Sequence, residues 1–89
     1  MGQLEKLYRR ALERPNSVRF SELDRLLRRL GFTRRQPGGG SSHYVYVWGD
    51  IRLTVPKSGS DGVKAVYVRR AMEALERMQA DEVEDDGEE

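Results

Sequence analysis

Apolar residues recur at intervals of three and four positions in three segments of the chain, which is the spacing of an amphipathic helix. The first segment runs from Leu4 to Arg14, and Pro15 and Asn16 end it, because proline lacks the backbone N–H of a helix interior. Its apolar positions are Leu4, Leu7, Tyr8, Ala11 and Leu12. The last segment runs from about Val63 to Gln79. The residues predicted to be buried there are Val63, Val66, Tyr67, Ala71, Ala74, Leu75 and Met78.

The middle segment carries the clearest signals of a helix start and end. Ser21 is a good N-cap, and Asp24 three residues later forms a variant of the capping box. Gly31 follows the last turn, where a residue with left-handed backbone often ends a helix. The predicted core stripe is Leu23, Leu26, Leu27 and Leu30, and the opposite face carries Arg25, Arg28 and Arg29.

Three short strands are predicted between the second and third helices, from their β-branched and aromatic residues. The first is Phe32 to Gln36, and a glycine-rich loop from Pro37 to Ser41 follows it. His43 to Trp48 and Ile51 to Val55 are joined by Gly49-Asp50, and a two-residue connection with glycine first is typical of a type II′ hairpin. The order α-α-β-β-β-α predicts an α+β fold, with helices on one face of a small antiparallel three-stranded sheet.

The two-residue turn determines which hairpin side chains share a face of the sheet. Trp48 would lie opposite Ile51, and directly opposed residues share a face. The second strand alternates apolar and polar residues, so its apolar side faces the core. That face takes Tyr44, Tyr46, Trp48, Ile51, Leu53 and Val55, and the other takes His43, Val45, Val47, Arg52 and Thr54. The pattern therefore favours a core role for the aromatic residues over a base-stacking platform, and it predicts an exposed His43.

Charge is distributed unevenly along the 89 residues, although the formal net charge is only +1. Residues 1–79 contain all 16 basic residues and 8 acidic ones, a net charge of +8, whereas residues 80–89 contain 7 acidic residues and no basic one. Thirteen of the basic residues are arginine, which suits bidentate contacts with phosphate. A basic body of this kind favours a nucleic-acid partner. The arginine usage is equally consistent with genome composition.

Cysteine is absent from the sequence, which excludes disulfides and thiolate metal sites and fits a cytoplasmic location. No segment approaches the ~20 apolar residues that cross a bilayer, so we expect a soluble protein with no membrane partner. One histidine without cysteine lacks the usual ligand set for a transition metal. We therefore expect no metal and no cofactor.

His43 is the only histidine, and imidazole is the side chain that most readily exchanges protons near neutral pH. From its residue type alone, a surface or core role without chemistry is the more common outcome. Its position at the start of a strand, after a glycine run, makes it the leading candidate for acid–base chemistry.

The segment from Phe20 to about Leu75 resembles the HicA family, small mRNA-cleaving toxins of bacterial toxin–antitoxin pairs. The matching pieces occur in the family's order, a helix follows them in both, and they are SELDRLLRRLGF, RRQPGGGSSHYVYV and IRLTVPKSGSD. The resemblance covers a little over half of the chain. This sequence differs in having two serines before His43 and in having Lys57 where a second histidine is common.

The resemblance implies a double-stranded-RNA-binding-like α-β-β-β-α fold with an extra N-terminal helix. It also implies a metal-independent ribonuclease, inhibited by a HicB-like antitoxin, with a catalytic role for His43. The expected organisation is an additional helix over residues 1–16, a HicA-like domain over 17–79 and a disordered acidic tail over 80–89.

The proposed chemistry needs a base and nearby cations. A neutral imidazole can accept the proton of a ribose 2′-OH, which then attacks the adjacent phosphate, and cations stabilise the charge that develops. The candidate RNA-binding residues are Arg34, Arg35, Ser41, Ser42, Arg52 and Lys57. Each cation has the alternative role of a solvated surface charge, and the glycine-serine loop has the alternative role of an ordinary flexible connection.

Two other functions remain open, a non-catalytic RNA-binding module of the same fold and a protein-interaction domain. The first predicts salt-sensitive RNA binding without products, and the second predicts no RNA affinity at low salt. The acidic tail also has two interpretations: it folds back over the basic surface and competes with RNA, or it only improves solubility.

Overall fold

The helices and strands follow the predicted order along the chain. The computed structural model describes residues 2–35 and 43–87, with side chains through residue 79. The elements are helix α1 (Gln3–Glu13), a 3₁₀ turn (Pro15–Ser17), helix α2 (Phe20–Arg29), strands β1 (Thr33–Arg35), β2 (His43–Trp48) and β3 (Ile51–Pro56), and helix α3 (Ala65–Gly87). The strands form an antiparallel sheet in the order β1-β2-β3. The predicted α+β fold with a small three-stranded antiparallel sheet is confirmed.

The β2–β3 hairpin has the predicted register. Its opposed pairs are Trp48 with Ile51, Val47 with Arg52, Tyr46 with Leu53, Val45 with Thr54, Tyr44 with Val55, and His43 with Pro56. Gly49 has a φ of 58°, and within the described ranges only glycines have a positive φ, so Asp50 has a negative one. A positive φ at the first turn residue followed by a negative φ at the second is the pattern of a type II′ turn. The assignment of side chains to the two faces is therefore confirmed for this hairpin.

The hydrophobic core lies between one face of the sheet and helices α2 and α3. From the sheet it takes Tyr46, Ile51, Leu53 and Val55, and from α2 it takes Phe20, Leu23, Leu26 and Leu27. Helix α1 packs on the other two helices and the 3₁₀ turn, with Leu7 and Ala11 buried. Because its contacts are with helices, α1 leaves the opposite face of the sheet uncovered.

The N-terminus of α2 differs from the prediction, because Ser21 is not its N-cap. Arg19 occupies that position, and its backbone N–H donates to Glu22 Oε1 at 3.0 Å. The N–H and the hydroxyl of Ser21 each donate to the Asp61 carboxylate at 2.9 Å, and the Phe20 N–H donates to the Asp61 carbonyl at 2.9 Å. A residue from the loop before α3 therefore satisfies the free donors of the first helical turn.

Helix α3 also differs from the prediction at both ends. It begins at Ala65 instead of Val63. Val68 and Met72 are buried although they were not predicted to be, and Val66 is 43% exposed. The helix continues to Gly87, beyond the predicted end at Gln79, and the expected disorder of residues 80–89 stays a prediction. No glycine or proline interrupts residues 65–86, which allows the helical backbone to continue. Within the described part of the chain, no helix combines the length and apolar character that a membrane span requires.

Candidate nucleic-acid interface

The sheet face turned away from the helices carries the predicted catalytic residue, and we call it the open face. Strand residues alternate between the two faces of a sheet, and the pairing brings residues of all three strands to this one. They are Thr33, Arg35, His43, Val45, Val47, Arg52 and Thr54. The polar residues among them are exposed. Val45 is only 8% exposed, because Arg35 and Thr54 flank it on the neighbouring strands.

His43 is the first residue of β2, and it is exposed opposite Pro56. Two residues further along β2, Val45 pairs with Arg35 on one side and Thr54 on the other. Arg35 and Thr54 are therefore diagonal neighbours of His43, and such neighbours have Cα atoms about 7–8 Å apart. Long side chains span that distance, so the register brings the Arg35 guanidinium within reach of the His43 ring.

Arg52 lies on the same face but at the other end of the hairpin. It pairs with Val47, which is four residues from His43 along β2. At the rise of an extended strand this separation is roughly 13 Å. On the open face, Arg35 is therefore a diagonal neighbour of His43, and Arg52 lies further along the surface, nearer the hairpin turn.

The other two predicted cations lie on the helix-covered side of the sheet. Arg34 pairs with Tyr46, and its guanidinium carbon is 5.4 Å from the centre of the Tyr44 ring. The Tyr44 ring is 4.8 Å from that of Phe20, and Lys57 Nζ is 5.7 Å from the centre of the Phe20 ring. Both cations therefore contact aromatic faces, and Arg34 and Arg35 lie on opposite sides of β1.

Asp24 determines how Arg34 is held. Tyr46 Oη donates to Asp24 Oδ1 at 2.8 Å, and a terminal guanidinium nitrogen of Arg34 donates to the same oxygen at 3.1 Å. Arg28 reaches Asp24 Oδ2 at 3.5 Å. Burial and the hydrogen bond to Asp24 raise the pKa of the Tyr46 hydroxyl well above its usual value. Asp24 is thus a partner for side chains of the sheet, and its predicted role in capping α2 is wrong.

Sequence patterns did not identify Asp24 or Tyr44 as the residues that contact Arg34. The spacing of Asp24 and Arg28 is that of a helical i,i+4 pair, so their contact was visible in the sequence. The contacts with Arg34 and Tyr46 join α2 to two strands, and no local pattern encodes them. Ser41 and Ser42 lie outside the described residues.

The two arginines of the open face differ from Arg34 in their ion pairing. Within the described ranges, neither Arg35 nor Arg52 forms an ion pair, whereas Arg34 and Arg28 share Asp24. Among the same residues, no group of three histidine, cysteine or acidic side chains is placed to hold a metal ion. What the open face offers is an imidazole with an arginine close by, which suits an anionic substrate.

The chain was compared with known proteins at three levels, and no family model, curated protein or solved structure matches it.

Proposed function

We propose that this chain is a metal-independent endoribonuclease, an mRNA-cleaving toxin similar to the HicA family, with His43 as its general base. The observation that carries the proposal is the strand register, which puts exposed His43 beside Arg35 on the open face. A proton acceptor close to an arginine suits a phosphodiester, and Arg35 forms no ion pair with a carboxylate among the described residues.

The proposed reaction uses the 2′-OH of the substrate as nucleophile. The neutral imidazole of His43 accepts the 2′-OH proton, and the 2′-oxygen attacks the adjacent phosphorus. The bond from phosphorus to the 5′-oxygen breaks, and that oxygen leaves with a proton from water. The products carry a 2′,3′-cyclic phosphate and a 5′-OH. General-base catalysis contributes about 10²–10⁴ in rate, and the Arg35 guanidinium stabilises charge on the phosphoryl oxygens.

Two further features support an RNA substrate. Residues 1–79 have a net charge of +8, mostly from arginine, which favours binding to a polyanion. The order of elements from α2 to α3 is helix, three strands, helix, which is the order that the resemblance to HicA implies. In the same proposal, Arg52 binds a phosphate further along the open face, and Ser41 and Ser42 act from the glycine-rich loop.

The proposal includes a protein partner, a HicB-like antitoxin that blocks the RNA-binding surface. Expression of the chain alone should arrest growth of a bacterial host, and co-expression of such a partner should restore growth. Expression of His43→Ala without a partner, at the same level of folded protein, should allow normal growth. That result would show that the arrest depends on His43.

The direct test is digestion of RNA by the wild type and by His43→Ala in the presence of a chelator. We expect the wild type to cleave and the variant to lose cleavage by at least about 10²-fold while its thermal unfolding stays unchanged. Arg69→Ala, on the exposed surface of α3, is the matched surface control and should retain activity. Salt-sensitive binding without products from any form would show a non-catalytic RNA-binding module. No RNA affinity at low salt would favour a protein-interaction domain.

A further inference from the structure

A second basic surface lies at the β1 edge of the sheet, beside helix α2. It is a groove of about 740 Å³ between the exposed face of α2 and strand β1, and we call it the arginine groove. Its lining residues are Asp24, Arg25, Arg28, Arg29, Phe32, Thr33 and Arg34. Four guanidinium groups therefore surround one carboxylate, so the groove has a formal charge of +3.

Two of these arginines are available to a ligand. Asp24 already accepts from Tyr46 and contacts Arg34 and Arg28. Within the described ranges, Arg25 and Arg29 are exposed and form no ion pair. They are four residues apart on one helix, which is a rise of about 6 Å and suits successive phosphates of one nucleic-acid strand. The arginine groove thus presents guanidinium donors along the exposed face of α2.

The arginine groove and the open face meet at the edge of the sheet. Strand β1 is an edge strand, and its consecutive residues Arg34 and Arg35 point to opposite faces. Arg34 lines the groove, and Arg35 is the diagonal neighbour of His43 on the open face. An RNA strand that crosses the edge of β1 would therefore meet arginine side chains on both faces of the sheet.

We propose that the arginine groove binds the phosphate backbone of the RNA substrate. The nucleotide at the cleaved bond lies on the open face, and the RNA strand crosses the β1 edge between the arginine groove and the open face. This inference rests on the proposed function and assigns to Arg25 and Arg29 the binding of the substrate away from the cleaved bond, while Arg28 and Arg34, which contact Asp24, add positive charge to the groove. Arginine is suited to this because its planar donors contact phosphate oxygens in pairs.

The test compares two pairs of arginines in the full-length chain. Arg25→Ala with Arg29→Ala removes two groove cations, and Arg69→Ala with Arg77→Ala removes two exposed cations from α3, an equal change in net charge. Alanine is favourable in a helix, so both variants should unfold like the wild type. Binding is measured by fluorescence anisotropy with a 2′-O-methyl RNA oligonucleotide, which lacks the 2′-OH that the proposed cleavage needs.

We expect the groove variant to bind about 25-fold more weakly at 0.1 M salt, since each of the two lost contacts to a single strand reduces affinity about fivefold. The slope of log K against log salt should fall by about 1.4. The α3 variant should change the affinity by less than about threefold, a long-range effect screened by salt. Equal losses in both variants, or no loss in the groove variant, would overturn the inference.

The two proposals fail in different measurements. Equal RNA cleavage by the wild type and His43→Ala removes the catalytic role of His43 and leaves the binding comparison valid. Conversely, a groove variant that binds normally removes the arginine groove from the substrate path and leaves His43-dependent cleavage intact. With a cleavable RNA, the groove variant should raise KM and keep kcat, because it removes binding that substrate and transition state share.

Discussion

Asp24 links the packing of the fold to the charge of its surface. Its carboxylate accepts from the buried Tyr46 hydroxyl and from Arg34, and its side chain is only 14% exposed. A carboxylate in this position fixes the direction of Arg34, which lines the arginine groove. Arg35, the next residue, lies on the open face because strand residues alternate, and Arg52 lies on that face too. Asp24 thus holds Arg34 in the arginine groove, while Arg35 is proposed to act on the substrate at the open face.

The hydrogen bond from Tyr46 to Asp24 should contribute measurably to stability. Tyr46→Phe removes the 2.8 Å contact without changing the buried ring, and we expect the free energy of unfolding to fall by about 1–2 kcal/mol. Tyr67→Phe is the matched control, because the Tyr67 hydroxyl makes no hydrogen bond within the described ranges. Urea denaturation measures both variants. Equal stability of the two would show that the Tyr46 hydroxyl is not a stabilising donor.

Sequence patterns predicted the residues whose role depends on near neighbours. The alternation of β3 and the Gly49-Asp50 turn gave the correct faces for the hairpin, and therefore the exposure of His43. Partners distant in sequence were not predictable in this way. Asp24 reaches strands β1 and β2, and Asp61 reaches the first turn of α2 from 40 residues away. Such contacts depend on how the elements pack, which local spacing does not encode.

The first turn of α2 shows this dependence between elements. Asp61 comes from the short loop between β3 and α3, in which Ser58 and Gly62 exchange two backbone hydrogen bonds of 2.8 Å. That closure positions the Asp61 carboxylate over the Ser21 N–H and hydroxyl. The prediction of Ser21 as an N-cap found the correct region of the helix start, but Ser21 donates hydrogen bonds there instead of accepting one.

The contact between Asp61 and α2 should weaken in acid. Hydrogen bonds from the Ser21 hydroxyl and N–H hold the pKa of Asp61 below its usual value. A carboxyl with a lower pKa in the folded state stabilises the fold above its unfolded pKa of about 4. This stabilisation is lost as the pH falls through the lower, folded value.

Unfolding of the wild type and Asp61→Asn across this pH range tests the assignment. The wild type should be the more stable at pH 7, and the difference should shrink as the pH falls below about 4. Asp50→Asn, at the exposed hairpin turn, should follow the wild type throughout. A difference between wild type and Asp61→Asn that does not change with pH would contradict the assigned cause.

Across the whole molecule, basic and acidic charges are separated. The body through residue 79 carries +8, and residues 80–89 carry −7. Composition predicted this separation, and the helical backbone continues from the basic body to Gly87. An acidic segment joined to a basic body lowers the attraction of the whole chain for RNA.

Removal of residues 80–89 should therefore tighten RNA binding at low salt. We expect about a tenfold gain in affinity at low ionic strength and almost none at 1 M salt, where the screening length is about 3 Å. A chain of unchanged length, with these acidic residues replaced by Asn and Gln, separates the effect of charge from that of length. Unchanged affinity at low salt for both variants would show that the segment does not compete with RNA.

The chemistry of the cleaved ends tests the role of His43 most directly. Labelled RNA is digested by the wild type and by His43→Gln, which keeps hydrogen-bonding groups but cannot act as a base near neutral pH. The wild type should release fragments ending in 2′,3′-cyclic phosphate, and a 2′-deoxy nucleotide at the cleaved position should block the reaction. His43→Gln should bind the RNA and release no such fragments. Equal cleavage by the two proteins, or wild-type cleavage at a 2′-deoxy position, would contradict His43 as the base that activates the 2′-OH.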